Sequence, residues 1–428
     1  MNRPTIGFVG MTHLGIVSAT AIAAKGFPVL CYDPDNKLIV SLARGSLPIE
    51  EPGLPELLAA NRSNQRFSDQ IGDLSACDVV YIAPDVPTDD TGKSDLTDIR
   101  LLIEAVAKVL SPDGIMVILC QVPPGFTRGL GVLPAARLYY QVETLVFGRA
   151  VERATQPERY IIGCAFPDQP LDPRLALILG AFSCPILQMR YESAELAKIS
   201  INMCLVASVT VANTLAELCE NIGADWSEIV PALKLDRRIG QFSYLAPGLG
   251  IAGGNLERDL ATVERLAAEH ATDSSVVQAY VHNSHHRRDW AARTVRAALL
   301  DSKPDAAIAV WGLAYKENTH SIKNSPSLAT IAQLKGIKVR AHDPSVPESA
   351  VDQLKIERFG DPLEALRGAD ALMILTAWPQ YRNIPADEIA KLLSGRIVID
   401  PYSVVDSKGA QRSKLVHYTL GRSIAPSH

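Results

Sequence analysis

The sequence predicts an α/β fold made of two Rossmann-like, doubly wound domains joined by a long central helix. The first observation is a series of short apolar runs separated by amphipathic stretches, and the second is another such series that begins near residue 305. The third is a long apolar segment between the two series. The apolar runs span 5–10, 29–33, 78–83 and 114–120 in the first series, and 306–316, 338–344, 370–378 and 396–401 in the second.

Because apolar runs that alternate with helical patterns are typical of parallel sheets, each series predicts one α/β domain. Segment 192–225 contains no proline, and its first glycine is Gly223. It predicts a buried helix of roughly 30 residues, or ~45 Å, that connects the domains and offers a surface to a second subunit. Further helix is predicted at about 257–299. The predicted domain boundaries are 1–190, 191–300 and 301–428.

The composition favours a soluble globular protein. Of the 428 residues, 47% are hydrophobic and 21% are charged, which excludes a disordered or low-complexity chain. The net charge of -5 and the lack of a basic run argue against a nucleic-acid partner. No stretch is expected to reach the ~18 to 20 apolar residues of a membrane span. The N-terminus enters a strand and a glycine turn, so no signal peptide is expected.

The cysteines and histidines predict no metal site. The seven cysteines lack a C-x-x-C pair, which argues against a disulfide framework or a zinc site and favours a reducing cytoplasm. The segment 282–288, HNSHHRR, is interpreted as a solvated charge cluster on a polar helix face.

A degenerate dinucleotide motif follows the first apolar run. Gly10 and Gly15 are the first and third glycines of G-x-G-x-x-G, and Thr12 stands at the middle position. The first glycine permits a tight turn and the third permits close packing of the helix, whose free N–H groups face a pyrophosphate. Thr12 crowds that approach, but its hydroxyl could donate to a phosphate.

Asp33 strengthens this interpretation. It closes the second apolar run 23 residues after Gly10, where a carboxylate accepts hydrogen bonds from the adenosine ribose. A carboxylate there disfavours the 2′-phosphate of NADP, so NAD is the predicted cofactor. A glycine turn followed by a strand-ending turn aspartate is the alternative, which the strand–helix–strand context makes less favoured.

Further blocks, in the same order along the chain, resemble the UDP-glucose/GDP-mannose dehydrogenase family. They are EPGL (51–54), VPTD (86–89), QVPPGFTR (121–128), AELAKISIN (194–202), DRRIGQFSYLAPGLGIAGG (236–254) and GLAYKENTHSIKNSPS (312–327). The resemblance implies an N-terminal NAD-binding domain, a central dimerisation helix, a C-terminal domain that binds the nucleotide-sugar, and a homodimer. Members of this family oxidise a sugar alcohol to a carboxylate in two hydride transfers, through a cysteine thioester.

By position, the resemblance implies a catalytic set. Lys198 and Asn202, four residues apart on one helix face, would stabilise the developing oxyanion. Asp259 would orient or deprotonate a water that takes the hydroxyl proton. Glu143 corresponds to the first glutamate of the family's N-P-E-F-L-R-E-G segment.

Three departures from the family concern the thioester. The family's nucleophilic cysteine corresponds to Asn255, and an amide cannot form a thiohemiacetal. Phe147 stands where the family has a second glutamate associated with water handling, and Gln121 replaces a threonine. The leading hypothesis is therefore a single alcohol oxidation, or its reverse, on a nucleotide-sugar, with a UDP-sugar favoured.

The resemblance also implies binding residues. Arg238 matches an arginine that family members donate across the dimer, and Lys323 stands for a family arginine, which keeps the charge but loses bidentate geometry. The implied cofactor contacts are Gly10, Thr12, His13, Leu14, Gly15, Asp33, Lys37, Pro84, Val86, Gln121 and Lys323. The implied substrate contacts are Glu143, Lys198, Asn202, Arg238, Tyr244, Gly248, Gly250, Gly253 and Lys316.

Three alternatives remain open. One is redox-neutral use of tightly held NAD, as in epimerisation by transient oxidation. Another is a non-catalytic nucleotide-sugar-binding protein, although loss of function would be expected to erase Lys198, Asn202 and Asp259 as well. A third, a 3-hydroxyacid dehydrogenase, shares the glycine turn and the Lys-x-x-x-Asn pair but leaves the EPGL, R-I-G and GLAYK blocks unexplained.

Overall fold

The computed structural model describes residues 3–87, 89, 94–252 and 254–423. The chain divides into two compact units, residues 1–201 and 202–428. Each unit is built around its own mainly parallel β-sheet, and helix α7 (Tyr191–Ile222) begins in the first unit and ends in the second. The predicted α/β fold with two Rossmann-like sheets and a long helix is confirmed.

The first unit contains an eight-stranded sheet in the order β3-β2-β1-β4-β5-β6-β7-β8. All neighbours are parallel except β6 and β7. The strands are β1 (Ile6–Val9), β2 (Val29–Tyr32), β3 (Gln65–Ser68), β4 (Val79–Ile82), β5 (Ile115–Ile118), β6 (Leu138–Gln141), β7 (Tyr160–Cys164) and β8 (Ile186–Arg190). The helices before α7 are α1 (His13–Ala24), α2 (Asn36–Ala43), α3 (Leu54–Ala60), α4 (Thr97–Val109), α5 (Ala150–Thr155) and α6 (Pro173–Gly180).

The second unit contains a six-stranded parallel sheet in the order β11-β10-β9-β12-β13-β14. Its strands are β9 (Ala307–Trp311), β10 (Lys338–His342), β11 (Ile356–Arg358), β12 (Ala371–Ile374), β13 (Ile397–Ile399) and β14 (Val416–Tyr418). Its helices after α7 are α8 (Trp226–Leu235), α9 (Asn255–Glu269), α10 (Ser275–Arg288), α11 (Trp290–Val295), α12 (Pro326–Gln333), α13 (Pro362–Leu366), α14 (Ala386–Leu392) and α15 (Ser407–Arg412).

The apolar runs of the sequence became the central strands of both sheets. Strands β1, β2, β4 and β5 are buried along their whole length, as expected for strands covered by helices on both faces. In each sheet the first strand along the chain lies beside the fourth, and the direction in which strands are added reverses at that point. Ligands of such sheets bind at the carboxyl ends of the strands next to this reversal. In the first unit this point lies between β1 and β4.

The central helix corrects two expectations from the sequence. It was predicted to be buried, but its apolar side chains at 211, 215, 218 and 222 are between 39% and 65% exposed. By length and composition α7 is also apolar enough to cross a membrane, whereas no such segment was expected. Core helices of soluble proteins pass the same test.

The histidine-rich segment at the end of α10 is only partly solvated. His286 is exposed, as predicted, but the Arg287 side chain is fully buried and pairs with Glu217 and Glu220 of α7 at 3.2 Å and 2.9 Å. The segment therefore packs against α7 instead of forming a free polar face. No group of three or more metal-binding side chains occurs among the described residues.

Candidate active site and cofactor turn

The glycine turn after β1 has the shape that a dinucleotide needs. Gly10 has φ +91°, and a Cβ on it would lie 2.8 Å from the backbone nitrogen of Pro84 at the end of β4. A Cβ on Gly15 would lie 1.9 Å from the carbonyl oxygen of Gly10. Both positions therefore require glycine, which lets the chain turn sharply from β1 into α1, and backbone N–H groups at such a helix start can bind a phosphate.

Thr12 does not behave as expected. Its hydroxyl donates a hydrogen bond to the carbonyl oxygen of Ala83 at 3.2 Å, so the hydroxyl proton is engaged within the protein. The side chain is half-buried and ties the turn to the end of β4. The threonine is therefore a structural part of the turn.

Asp33 keeps hydrogen-bonding capacity for a ribose. One carboxylate oxygen accepts from the backbone N–H of Met11 at 2.8 Å and the other from that of Asp35 at 3.0 Å. A carboxylate has about four acceptor sites, so two remain. The position between the glycine turn and α2 fits the adenosine ribose of NAD.

The corresponding aspartate of the second unit has more hydrogen-bond donors than Asp33. Asp343, after β10, accepts from five donors: the backbone N–H groups of Leu313, Ala314, Ser345 and Val346 and the indole of Trp378. Asp343 is therefore saturated by donors of the protein, unlike Asp33, which accepts two hydrogen bonds.

The other predicted cofactor residues lie in several different parts of the two units. Leu14 is buried in the core of the first unit, and Lys37 is exposed on α2. Val86 follows β4 and Gln121 follows β5, so both lie at the carboxyl ends of strands. Lys323 belongs to the second unit, where its side chain runs beside Gly254. The ring of His13 faces Glu51.

Two of the predicted catalytic residues are in direct contact. Asn202 donates from Nδ2 to Oδ2 of Asp259 at 2.5 Å, and both residues are buried. Arg258 approaches the other carboxylate oxygen at 3.5 Å. The amide and the guanidinium compensate part of the cost of burying the carboxylate.

A second contact joins Lys198 and Glu143 in the first unit. Their Nζ and Oε2 atoms are 3.2 Å apart, and both side chains are largely buried. The other oxygen of Glu143 accepts a short hydrogen bond from the backbone N–H of Leu145. The ammonium is therefore held in place by a carboxylate that is itself held by the backbone.

Glu195 was not predicted from the sequence. It is fully buried on α7 and accepts from the backbone N–H groups of Gly125 at 2.6 Å and Thr127 at 2.9 Å. Burial raises the pKa of its carboxyl group. These bonds fasten the turn after Gln121 to the helix that carries Lys198. The only sequence signal is its place in the AELAKISIN block.

Several of the predicted substrate residues lie in loops of the second unit. Gly248 donates from its N–H to Asn213 at 2.8 Å. Gly250 has φ +77° and no room for a Cβ, which would lie 2.4 Å from the carbonyl oxygen of Ser284. Arg238 and Tyr244 are exposed, and Arg238 pairs with Asp236. Lys316 lies over the ring of Tyr315, and Gly253 is outside the described residues.

The sequence matches three domains of one known family. Residues 4–174 match the NAD binding domain of the UDP-glucose/GDP-mannose dehydrogenase family, residues 192–285 match its central domain, and residues 309–407 match its UDP binding domain. The chain belongs to this family. As a UDP-glucose/GDP-mannose dehydrogenase family member, it is an NAD-dependent oxidoreductase of the nucleotide-sugar dehydrogenase type.

Individual relatives agree with this assignment over nearly their full length. UDP-glucose 6-dehydrogenase TuaD of Bacillus subtilis is 29% identical over 97% of this chain and 93% of its own. The solved UDP-glucose dehydrogenase of Pyrobaculum islandicum is 26% identical, with a TM-score of 0.86 over 99% of this chain and 98% of that one. UDP-D-ManNAc dehydrogenase of Pyrococcus horikoshii, at 23% identity and a TM-score of 0.84, shares the fold.

In this UDP-glucose/GDP-mannose dehydrogenase family member, helix α9 begins at one of the predicted catalytic residues. Gly254 precedes the helix with φ +93°, and Asn255 is the first helical residue, with an exposed side chain. Lys323 is packed beside Gly254, and Asn324 donates to Glu257 at 2.5 Å. The start of α9 is thus packed against the segment of Lys323 and Asn324.

Proposed function

We propose that this protein oxidises one alcohol group of a nucleotide-sugar, with a UDP-sugar favoured, and releases an aldehyde or ketone, or catalyses the reverse reduction. Asn255 is the observation that carries this proposal. It stands at the position of the family's nucleophilic cysteine, with its side chain exposed at the first residue of α9. An amide nitrogen is not nucleophilic enough to form the covalent intermediate that leads to a carboxylate.

The cysteines of the chain do not replace the missing thiol. Burial raises the pKa of Cys31, Cys77 and Cys120 to about 12, which keeps these thiols protonated and unreactive. Cys204 is exposed on α7. It follows Asn202 by two residues, which is about 200° around a helix, so the two side chains project from opposite faces.

The residues for hydride transfer remain. NAD would be held at the glycine turn by Gly10, Gly15 and Asp33, and it would supply the hydride acceptor for the oxidation. Asp259, held by Asn202 at 2.5 Å, accepts the hydroxyl proton directly or through a water, and the carbonyl forms as the C–H and O–H bonds break. Lys198, one turn before Asn202 on α7, stabilises the negative charge that develops on oxygen.

The organisation of the chain supports a division of roles. We assign cofactor binding to residues 1–190, dimerisation to 191–300 and nucleotide-sugar binding to 301–428. Residues of the central region also contact the substrate in this proposal: Arg238, Tyr244 and the loop glycines, together with Lys316 of the last region. The exposed apolar stripe of α7 supports a homodimer. A cytoplasmic location is part of the same proposal.

The deciding experiment counts the cofactor reduced for each sugar oxidised. Purified protein is incubated with NAD and a panel of UDP- and GDP-sugars, NADH is measured by absorbance, and products are identified by mass spectrometry. One NADH for each aldehyde or ketone supports the proposal. Two NADH with a carboxylate contradict it. That result would mean that the hydrated aldehyde is oxidised again without a thiol.

The same experiment separates the alternatives. A changed sugar configuration without accumulation of NADH identifies a redox-neutral enzyme. Tight binding of a nucleotide-sugar, with no turnover of any sugar in the panel, identifies a binding protein. Each result differs from a single oxidation in both product and stoichiometry.

A further inference from the structure

A buried carboxylate links the cofactor turn to the segment that carries Glu143. The side chain of Glu51 is fully buried, and its Oε2 lies 3.0 Å from Nε2 of His13. The two oxygens of Glu51 also accept from the backbone N–H groups of Gly148 at 3.0 Å and Ala150 at 2.7 Å. Glu51 thus has three donors from two separate segments of the first unit.

One of these segments is the start of α1. His13 is the first residue of that helix and follows the turn at Gly10 and Thr12, and it is buried. A carboxylate only accepts hydrogen bonds, so the imidazole donates to Glu51 through Nε2. This bond fixes the first turn of α1, whose backbone N–H groups face the dinucleotide.

The other segment is the loop between β6 and α5. It carries Glu143, which holds Lys198, and Phe147, whose ring centroid lies 4.2 Å from that of His13. Helix α5 begins at Ala150 and packs against α1. The loop is therefore tied to α1 twice, through the ring of Phe147 and through Glu51.

The energetics make the histidine and the carboxylate depend on each other. A buried carboxylate is stable only when donors satisfy it, and loss of one partner leaves the desolvation penalty of that carboxylate partly uncompensated. Without the imidazole, Glu51 retains two backbone donors on one side and none from α1. The glycine turn then loses the contact that Glu51 makes between it and the segment of Glu143.

We propose that Glu51 is a positioning residue, which acts through His13 to hold the first turn of α1 in the geometry that binds NAD and in register with the segment of Glu143. The side chain of His13 serves the cofactor indirectly, as the donor to Glu51. Cofactor affinity therefore depends on a hydrogen-bond donor at residue 13 more than on an aromatic ring there.

Three variants test this dependence. H13F keeps a ring against Phe147 and removes the donor, whereas H13Q places an amide donor near the position of Nε2 and removes the ring. E51Q removes the charge and one of the two acceptors. D69N, which changes an exposed carboxylate bonded to Asn36 and Gln70 in the same unit, is the matched control.

The measurement is the Kd for NADH, by fluorescence titration of the full-length protein without sugar. We expect Kd to rise at least tenfold in H13F and E51Q, and to stay within threefold of the parent in H13Q and D69N. Thermal unfolding monitored by circular dichroism verifies that each variant is folded. Should H13F fail to fold, the comparison of E51Q with D69N gives the answer.

Two results would overturn the proposal. One is parental affinity in a folded H13F or E51Q, and the other is an equal loss in H13F and H13Q, which would assign the role to the ring. Since the titration contains no substrate, neither result bears on whether the enzyme oxidises its sugar once or twice.

Discussion

Asn202 donates to Asp259 at 2.5 Å, and the two residues are 8% and 1% exposed. In this hydrogen bond the aspartate is the acceptor, and the bond orients its carboxylate. This geometry suits a group that must take a proton from an alcohol or from a water next to it.

The first prediction concerns this carboxylate. We expect Asp259→Asn to lower kcat about 10²- to 10⁴-fold, because an amide cannot accept the hydroxyl proton. The Kd for NADH should change little. Glu257→Gln, two residues away on α9 and bonded to Asn324, is the control and should retain activity. Activity within threefold of the parent in Asp259→Asn would exclude the proposed role.

The second prediction concerns the missing thiol. We expect Asn255→Cys to form a covalent sugar adduct, visible by intact-protein mass spectrometry, and to produce some carboxylate with two NADH per sugar. Hydrolysis of the adduct should be slow, because Phe147 packs on His13 where the family has a glutamate. Asn255→Ser has no thiol and should give neither adduct nor acid. If the cysteine variant still yields only aldehyde or ketone, Asn255 does not account for the single oxidation.

The third prediction separates the two strand-ending aspartates. Asp33→Asn should lower the preference for NAD over NADP at least tenfold, because the carboxylate no longer repels the 2′-phosphate. Asp343→Asn should leave that preference unchanged and lower the thermal midpoint, since a buried group with five donors loses part of its hydrogen bonding. Ratios of kcat/KM for the two cofactors and a melting curve test both statements. An unchanged ratio in Asp33→Asn would argue against ribose recognition by Asp33.

Local patterns explain why the geometry of the glycine turn could be predicted from the sequence, while its contacts with NAD stay a prediction. Gly10, Gly15 and Asp33 belong to one strand–helix–strand unit, so their spacing fixes their geometry. Strand β3 was missed because Gln65–Ser68 has almost no apolar character, and the edge strand β8 is only partly buried. Strand propensity alone gives little signal in such short segments.

Long-range contacts could not be predicted. Glu51 meets Gly148 and Ala150 across nearly a hundred residues, and Glu195 meets Gly125 across 70 residues. A carboxylate that satisfies distant backbone N–H groups leaves no periodic pattern in the sequence. The exposure of α7 was also hidden, because an apolar stripe predicts burial without saying whether the same chain or another subunit provides the cover.

The fourth prediction is a loss of stability in acid that depends on His342. Burial lowers the pKa of His342, and its Nδ1 lies 2.8 Å from the hydroxyl of Tyr381. The neighbouring carboxylates of Asp343 and Asp361 oppose this shift, and Arg358 adds to it. Below the ordinary histidine pKa of about 6.5, the unfolded chain binds a proton that the native state does not bind, so stability falls as the pH decreases toward the native value.

Urea unfolding between about pH 5 and pH 7.5 measures this effect. We expect the unfolding midpoint of the parent protein to fall with decreasing pH below about 6.5. His342→Asn, whose amide occupies the place of Nδ1 without titrating, should be less stable at pH 7.5 but should lose less stability on acidification. Parallel pH profiles for the two proteins would show that other groups cause the acid sensitivity.

The fifth prediction concerns the apolar stripe of α7. Val211, Leu215, Leu218 and Ile222 are spaced by four, three and four residues, so they lie on one face of the helix, and all are exposed in the single chain. If this face is the dimer interface, Leu215→Glu places a charge on each side of it, and burial of an unpaired carboxylate costs several kcal/mol. We expect the parent to elute as a dimer in light-scattering chromatography at micromolar concentration and Leu215→Glu to elute as a monomer. Asn221→Glu, at an exposed polar position off the stripe, should remain dimeric. A dimeric Leu215→Glu would place the interface elsewhere, and a monomeric parent would exclude the homodimer.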